Sequence, residues 1–218
     1  MKKRVIALAL GCTVAFGCAV GGTLAWLTDS TTEVKNTFTT SDITIELTET
    51  TTDYQMVPGH TIAKDPKVTV KKGSEECYVF VKITETDAKG KNSEDTDVTY
   101  DFDQFLNYNV ITTGDNAWTA LDGVDGVYYR EVAANTESDQ SFYILVGQGD
   151  GELKNGYVTV KDTVDKDMMN ALGSDKNNYP TLTFTAYAIQ KNYLTDQNND
   201  DKVDQADGWI LLNPTTTP

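Results

Sequence analysis

Histidine is almost absent from this chain: His60, beside Pro58 and Gly59, is the only one. A zinc peptidase of the usual kind needs two histidines on one helix with a glutamate between them, so that chemistry has no counterpart here. Nor can a Ser-His or Cys-His pair form away from His60. Cysteine is scarce too. Cys12 and Cys18 fall inside an apolar N-terminal run, which leaves Cys77 alone in the remainder and no intrachain disulfide. Cys77 opens the alternation Cys77, Val79, Val81, Ile83 and is expected to be a small buried hydrophobe. Basic residues are few, 18 against 33 acidic ones, and losing Lys2, Lys3 and Arg4 with a signal takes the net charge from −15 to −18. Such a surface repels nucleic acid and anionic membranes and favours divalent cations. No repeat of solenoid length is present. The end, Asn213 to Pro218, is a Thr/Pro tail without the apolar segment or basic end of an anchor.

What the chain does have begins at its N-terminus. Lys2, Lys3 and Arg4 precede an uncharged run that lasts until Asp29, the layout of a secretory signal. The run is about as long as a spanning helix, roughly 20 residues, so an uncleaved anchor is the alternative. Gly17, Gly21 and Gly22 weaken it as a helix, and Thr23-Leu24-Ala25 puts small residues at a peptidase site. Cleavage between Ala25 and Trp26 is expected. Phe16 within Ala15-Phe16-Gly17-Cys18 disfavours a lipid-modified cysteine.

The stretch GGTLAWLTDSTTEVKNTFTTSDITIEL resembles the start of the TasA/camelysin family of exported proteins. Its pattern is small residues, Thr-x-Ala, an aromatic, Asp, then Asn-Thr-Phe opening an alternating strand; Leu27 stands where a second aromatic is common. MVPGHTIAKDPKVTVKKGSEECYVFVKI, DGVYYREV and YPTLTFTAYAIQ are similar to a clostridial-type branch of these proteins. The resemblance extends to about Gln190. It implies a dedicated SipW-type signal peptidase, a jelly-roll fold, and fibres in which the freed N-terminus of one subunit adds to a sheet of the next. The donor would be Trp26 to Lys35, with Trp26, Leu27 and Val34 entering pockets of the neighbour. A disordered leader is the other reading of that segment.

The remaining length suits one domain, 26–218. Strands are expected at Ile43 to Leu47, Val68 to Val70, Cys77 to Ile83, Tyr108 to Thr112, Val127 to Val132, Phe142 to Val146, Tyr157 to Val160 and Leu182 to Ala188. Tyr78 and Phe80 make the second face of the Cys77 strand apolar as well, which places it centrally in a sheet. Thr84 to Asp97 and Gly147 to Gly151 read as loops. Short helices are expected at Tyr100 to Leu106 and at Asp165 to Leu172, with Asp165 as cap. The sum is an all-β antiparallel sandwich behind a signal helix.

The sharpest local pattern is TDQNNDDKVDQADGW. Asp196, Asn198, Asp200, Asp204 and Asp207 fall at positions 1, 3, 5, 9 and 12 of a calcium loop, Lys202 offers its carbonyl at position 7, and Val203 is the apolar position 8. Asp201 replaces the usual Gly at position 6, though Asp tolerates left-handed backbone better than most residues. An acidic solvated loop is the alternative. No pair of carboxylates is singled out for glycoside chemistry.

These observations lead to a secreted structural protein of the cell surface or biofilm matrix that self-associates into filaments, is not an enzyme, and touches the membrane only through its signal. A camelysin-like metal-dependent endopeptidase and a monomeric calcium-binding adhesion module are the alternatives.

Overall fold

The long alternating runs of the sequence become the centre of the molecule. The computed structural model of the chain describes residues 42–50, 54–135, 137–149, 152–192 and 194–213, all within one compact unit, 41–218. The signal, the cleavage point at Ala25 and Trp26, and the Trp26 to Lys35 segment lie outside the described residues.

The fold is all-β, and every strand pair among the described residues is antiparallel. Strand β4 (Cys77–Thr86) is flanked on one side by β15 (Thr181–Gln190) and on the other by β10 (Val127–Val132), with β9 (Thr119–Ala120) beyond. A second sheet orders β1 (Ile45–Thr48), β3 (Lys67–Val70) and β11 (Gln140–Tyr143). The two pack face to face as a sandwich. Cys77, Val79 and Val81 of β4 meet Val68 and Val70 of β3, all at most 1% exposed. Full burial of one such valine contributes about 1.5–3 kcal/mol, so this layer dominates stability.

The opposite face of β4 carries Tyr78 and Phe80 into a second cluster with Trp209. Cys77 is fully buried, and burial, followed by the neighbouring Glu76 charge, pushes its thiol up to about 11. At neutral pH it is an inert core residue.

Two smaller sheets complete the set: β2 (Thr61–Ala63), β14 (Tyr157–Val160) and β7 (Leu106–Asn107); and β13 (Glu152–Asn155), β12 (Leu145–Gly149) and β8 (Asn109–Val110). Helix α1 (Phe102–Phe105) inserts Phe102 and Phe105 into the interior, and α2 (Lys166–Leu172) starts where Asp165 accepts the Met168 N–H at 2.8 Å.

Two expected loops are strands instead. The 84–97 stretch continues β4 to Thr86 and then forms the hairpin of β5 (Ala88–Lys91) and β6 (Asp97–Tyr100). Its anchor is one small residue, Ala88, fully buried among Phe105, Val160 and Leu172. Gly90 lets β5 press on α2: a Cβ there would lie 2.2 Å from the Ala171 carbonyl oxygen. Gly147 to Gly149 of the glycine-rich stretch belong to β12 and pair with β13, because paired backbone needs no side-chain alternation. The Phe142 to Val146 strand divides at Ile144, and Tyr108 to Thr112 shortens to Asn109–Val110.

Candidate functional sites at an open sheet edge and an acidic loop

The first site follows from the sheet order. Among the described residues β15 pairs with β4 alone. Its ten residues, TLTFTAYAIQ, contain no charge and no proline, and its register has no bulge. Natural edge strands are normally blunted by those devices, and here they are missing.

The two ends of β15 have different surroundings. Near its C-terminal end, Tyr187 and Ile189 are covered by a helix, α3 (Gln205–Leu212). Its Trp209 packs 5.4 Å from Phe80 and edge-on, 5.5 Å, to Tyr187. Gly208 permits the approach, since a Cβ would lie 2.9 Å from the Ile189 Cγ2. At the N-terminal end, Thr181 to Phe184 border two adjoining depressions. One, of about 450 Å³, lies between these residues and Leu47, Thr48 and Glu49 at the end of β1. The other, of about 250 Å³, is walled by Met56, Ile62, Leu106, Val158 and Leu182, with Lys64 and Lys176 also lining it.

Lys64 divides the two and is 8% exposed. Its ammonium donates to Glu49 Oε1 at 2.7 Å and stands 5.0 Å and 5.3 Å from the ring centres of Tyr54 and Phe184. The same carboxylate oxygen accepts the Tyr54 hydroxyl at 2.7 Å. Burial, and then this hydrogen bond, raise the Tyr54 pKa far above that of a free phenol. Next to it, Asp65 accepts the Thr50 N–H and hydroxyl at 2.9 and 2.6 Å. Burial works against its ionisation, yet these bonds hold its pKa below the ordinary value.

A second, half-buried cation is held differently. Arg130 of β10 stacks 3.4 Å from the centre of Phe142 and gives Nη2–H to the Asp115 carbonyl at 3.0 Å, while its buried Nε and Nη1 have no acceptor. Burial depresses its pKa to about 10, against the pull of Asp115.

The second site is the acidic loop. Asp196 accepts the N–H groups of Asn199 and Asp201 at 2.7 and 3.1 Å, Asn198 Oδ1 that of Asp200 at 3.1 Å, and Asp200 that of Lys202 at 2.9 Å. Each short polar side chain thus folds back on its own turn. Asn199 and Asp201 adopt left-handed backbone, φ 62° and 64°. Position 6, usually glycine, makes its left-handed turn with Asp201.

Asp204 and Asp207 do something the spacing also allows. Asp204 caps α3, accepting the Ala206 N–H at 2.8 Å, while Asp207 Oδ2 accepts the Asp204 N–H at 2.9 Å. That is a capping box. Asp207 is completely buried, and its Oδ1 accepts from Gln197 and Asn198 at 2.6 and 3.4 Å. Burial opposes its charge, and the three N–H groups outweigh that and hold its pKa low. Among the described residues no three His, Cys, Asp or Glu side chains converge as metal donors. Helix α3 itself was not expected. Its one sequence signal was the Asp-x-x-Asp spacing at 204 and 207, read as metal positions.

His60 sits exposed at its turn, Nδ1 3.0 Å from the Pro58 carbonyl oxygen. Comparison of the chain with family models, with curated proteins and with solved structures returned no match.

Proposed function

We propose that this chain is an exported structural subunit of a cell-surface or matrix fibre, assembled by adding an extended segment of one copy to a sheet edge of the next. The observation that carries it is β15: ten regular, uncharged residues that among the described strands pair with β4 alone. Backbone hydrogen bonds along such an edge supply affinity, and pockets for alternate side chains supply specificity. The donor is Trp26 to Lys35, freed when the signal peptidase cuts after Ala25, which makes export and assembly one event. A head-to-tail contact that does not close on itself gives filaments. A jelly-roll winding of the sandwich belongs to the same resemblance. Electron microscopy of the mature chain beside a chain starting at Asn36 tests the proposal: the full chain forms filaments and the shorter one does not. Equal polymerisation of both would falsify strand addition by the N-terminus.

The second site supports a calcium loop that orders the C-terminal segment. Its backing is the left-handed pair Asn199 and Asp201, which supplies the tight turn such a loop needs. Asp196, Asn198, Asp200, the Lys202 carbonyl, Asp204 through water, and Asp207 are the proposed ligands. Calorimetry with calcium should show binding that Asp200→Ala weakens strongly. No heat and no melting shift at millimolar calcium would remove the metal from the account.

A further inference from the structure

The two smaller sheets meet around a well of their own. The chain leaves β7 at Asn107 and enters β8 at Asn109, so Tyr108 bridges the sheets. Asn107 pairs with Thr159 of β14, and Asn109 with Val146 of β12. Between them lies a cavity of about 220 Å³, which these residues line together with Tyr108, Gly147 and Tyr157. Gly147 lets β12 and β14 close around it: a Cβ there would lie 2.7 Å from the Tyr157 carbonyl oxygen.

The lining sets this well apart from the rest of the surface. In a chain of 33 acidic and 18 basic residues, the described residues that line it include no charged side chain. A phosphate or carboxylate would call for Arg or Lys, and a cation for carboxylates; neither is there. A wholly apolar ligand would cover the amides of Asn107 and Asn109 and the Thr159 hydroxyl without giving them partners. What fits is a neutral ligand rich in hydroxyls, with a C–H face.

The walls meet both requirements. An amide side chain has two N–H donors and an acceptor oxygen, so it can give to and take from hydroxyls that do the same. Asn107 and Asn109 are exposed, and neither side chain makes a hydrogen bond among the described residues. The Tyr108 ring is a fixed wall: its hydroxyl donates to Glu85 at 2.7 Å, and its ring meets that of Phe102 at 74°, 6.1 Å between centres. The electron-rich face of a phenol ring attracts C–H groups. At about 220 Å³ the well is smaller than the roughly 300–1,000 Å³ sites of drug-sized ligands, which suits a single ring. We propose that it binds one neutral pyranose, the terminal residue of a glycan. Asn107, Asn109 and Thr159 hold the hydroxyls, and tyrosine ring surface meets the C–H face. The site depends on neither strand addition nor calcium.

Saturation-transfer NMR on the full mature chain tests this, because the signal is read on the sugar and survives assembly of the protein. The probes are glucose, galactose, mannose and N-acetylglucosamine, together with their methyl glycosides, which imitate the end of a glycan. At least one glycoside should show saturable transfer, strongest at the C–H protons of one ring face. Asn107→Ala and Asn109→Ala should each weaken binding by about threefold to tenfold, as expected for a lost hydrogen bond. The melting curve should not move, since neither amide holds its own chain together. No saturable transfer from any of these probes at tens of millimolar would overturn the proposal. Transfer that survives both substitutions would place the sugar elsewhere and overturn it equally. Tighter binding of glucuronate or glucosamine than of the neutral sugars would defeat the selection of an uncharged ligand. Binding of free sugars but not of their methyl glycosides would defeat the assignment to a glycan end.

Discussion

The two halves of β15 share one strand, one partner in β4 and one composition, yet they are finished differently. The half ending at Gln190 is roofed by α3, and Trp209, at 8% exposure, seals Phe80 and Tyr187 from water. The half beginning at Thr181 has a groove and a buried ion pair in place of a roof. A strand covered at one end by its own chain needs no partner there. Left open at the other, it is the end where the proposed strand addition would join.

Removing the roof is the strongest way to erase the contrast. Trp209→Ala empties the centre of an aromatic cluster and should cost about 3–5 kcal/mol, read as a shift in the urea midpoint. It should also expose Tyr187 and Phe80 and increase dye binding. A loss below about 1 kcal/mol would mean that α3 lies on the sheet without supporting it.

At the open half the corresponding element is Lys64. Lys64→Met leaves Glu49 with the Tyr54 hydroxyl but no countercharge, and side-chain exposures of 11% and 16% place the pair near the surface of the core. The expected loss is at the lower end of the roughly 3–5 kcal/mol found when one member of a buried pair is removed. Arg130→Met sharpens the point. Arg130 already leaves Nε and Nη1 unpaired, so an apolar side chain of similar length should be neutral or stabilising. If the two substitutions cost the same, pairing does not explain why Lys64 is tolerated.

The roof depends on pH in a direction set by Asp207. Its folded pKa lies below the ordinary value, so its contribution is complete above about pH 3.9. Below that it is lost as the pH falls through the lowered folded value. Asp207→Asn, which keeps the shape and removes the charge, should cost about 1–3 kcal/mol at neutral pH and flatten this acid dependence. Trp209 fluorescence followed from pH 5 to pH 2 (roughly the span of carboxylate titration) would show it. An unchanged acid limb in the variant would remove Asp207 from the cause.

The sequence revealed the closed half and the centre better than the open one. Cys77 to Ile83 and Leu182 to Ala188 were legible because both faces of one and the inner face of the other are apolar, and periodicity records burial. The β5–β6 hairpin was not, because a single alanine and a glycine carry its packing. Helix α3 was hidden by ambiguity. Asp204 and Asp207 stand three apart, which suits calcium-loop positions 9 and 12 as well as a capping box, so the spacing alone does not reveal the helix. The groove was illegible for another reason: Tyr54, Lys64, Leu106, Val158 and Lys176 meet only after distant segments fold. That β15 has an open side was not legible either, since strand order depends on every other strand.

The smallest expected effect on folding belongs to the most direct test of the open edge. Thr183 is exposed, and its neighbour across the ladder is Thr84 of β4, so Thr183→Lys removes no packed contact. Stability should change by no more than about 0.5 kcal/mol. A lysine on an edge strand nevertheless opposes the arrival of another strand, because pairing would require its charge to lose water or its stem to bend away. Filament growth by light scattering should therefore fall sharply while the melting curve stays put. Placing the same charge at Val203, exposed on the acidic loop at 54%, should leave growth unchanged and control for a general effect of charge. Growth that survives Thr183→Lys but fails with Val203→Lys would move the joint from β15 to the C-terminal loop and reverse the contrast between the two halves.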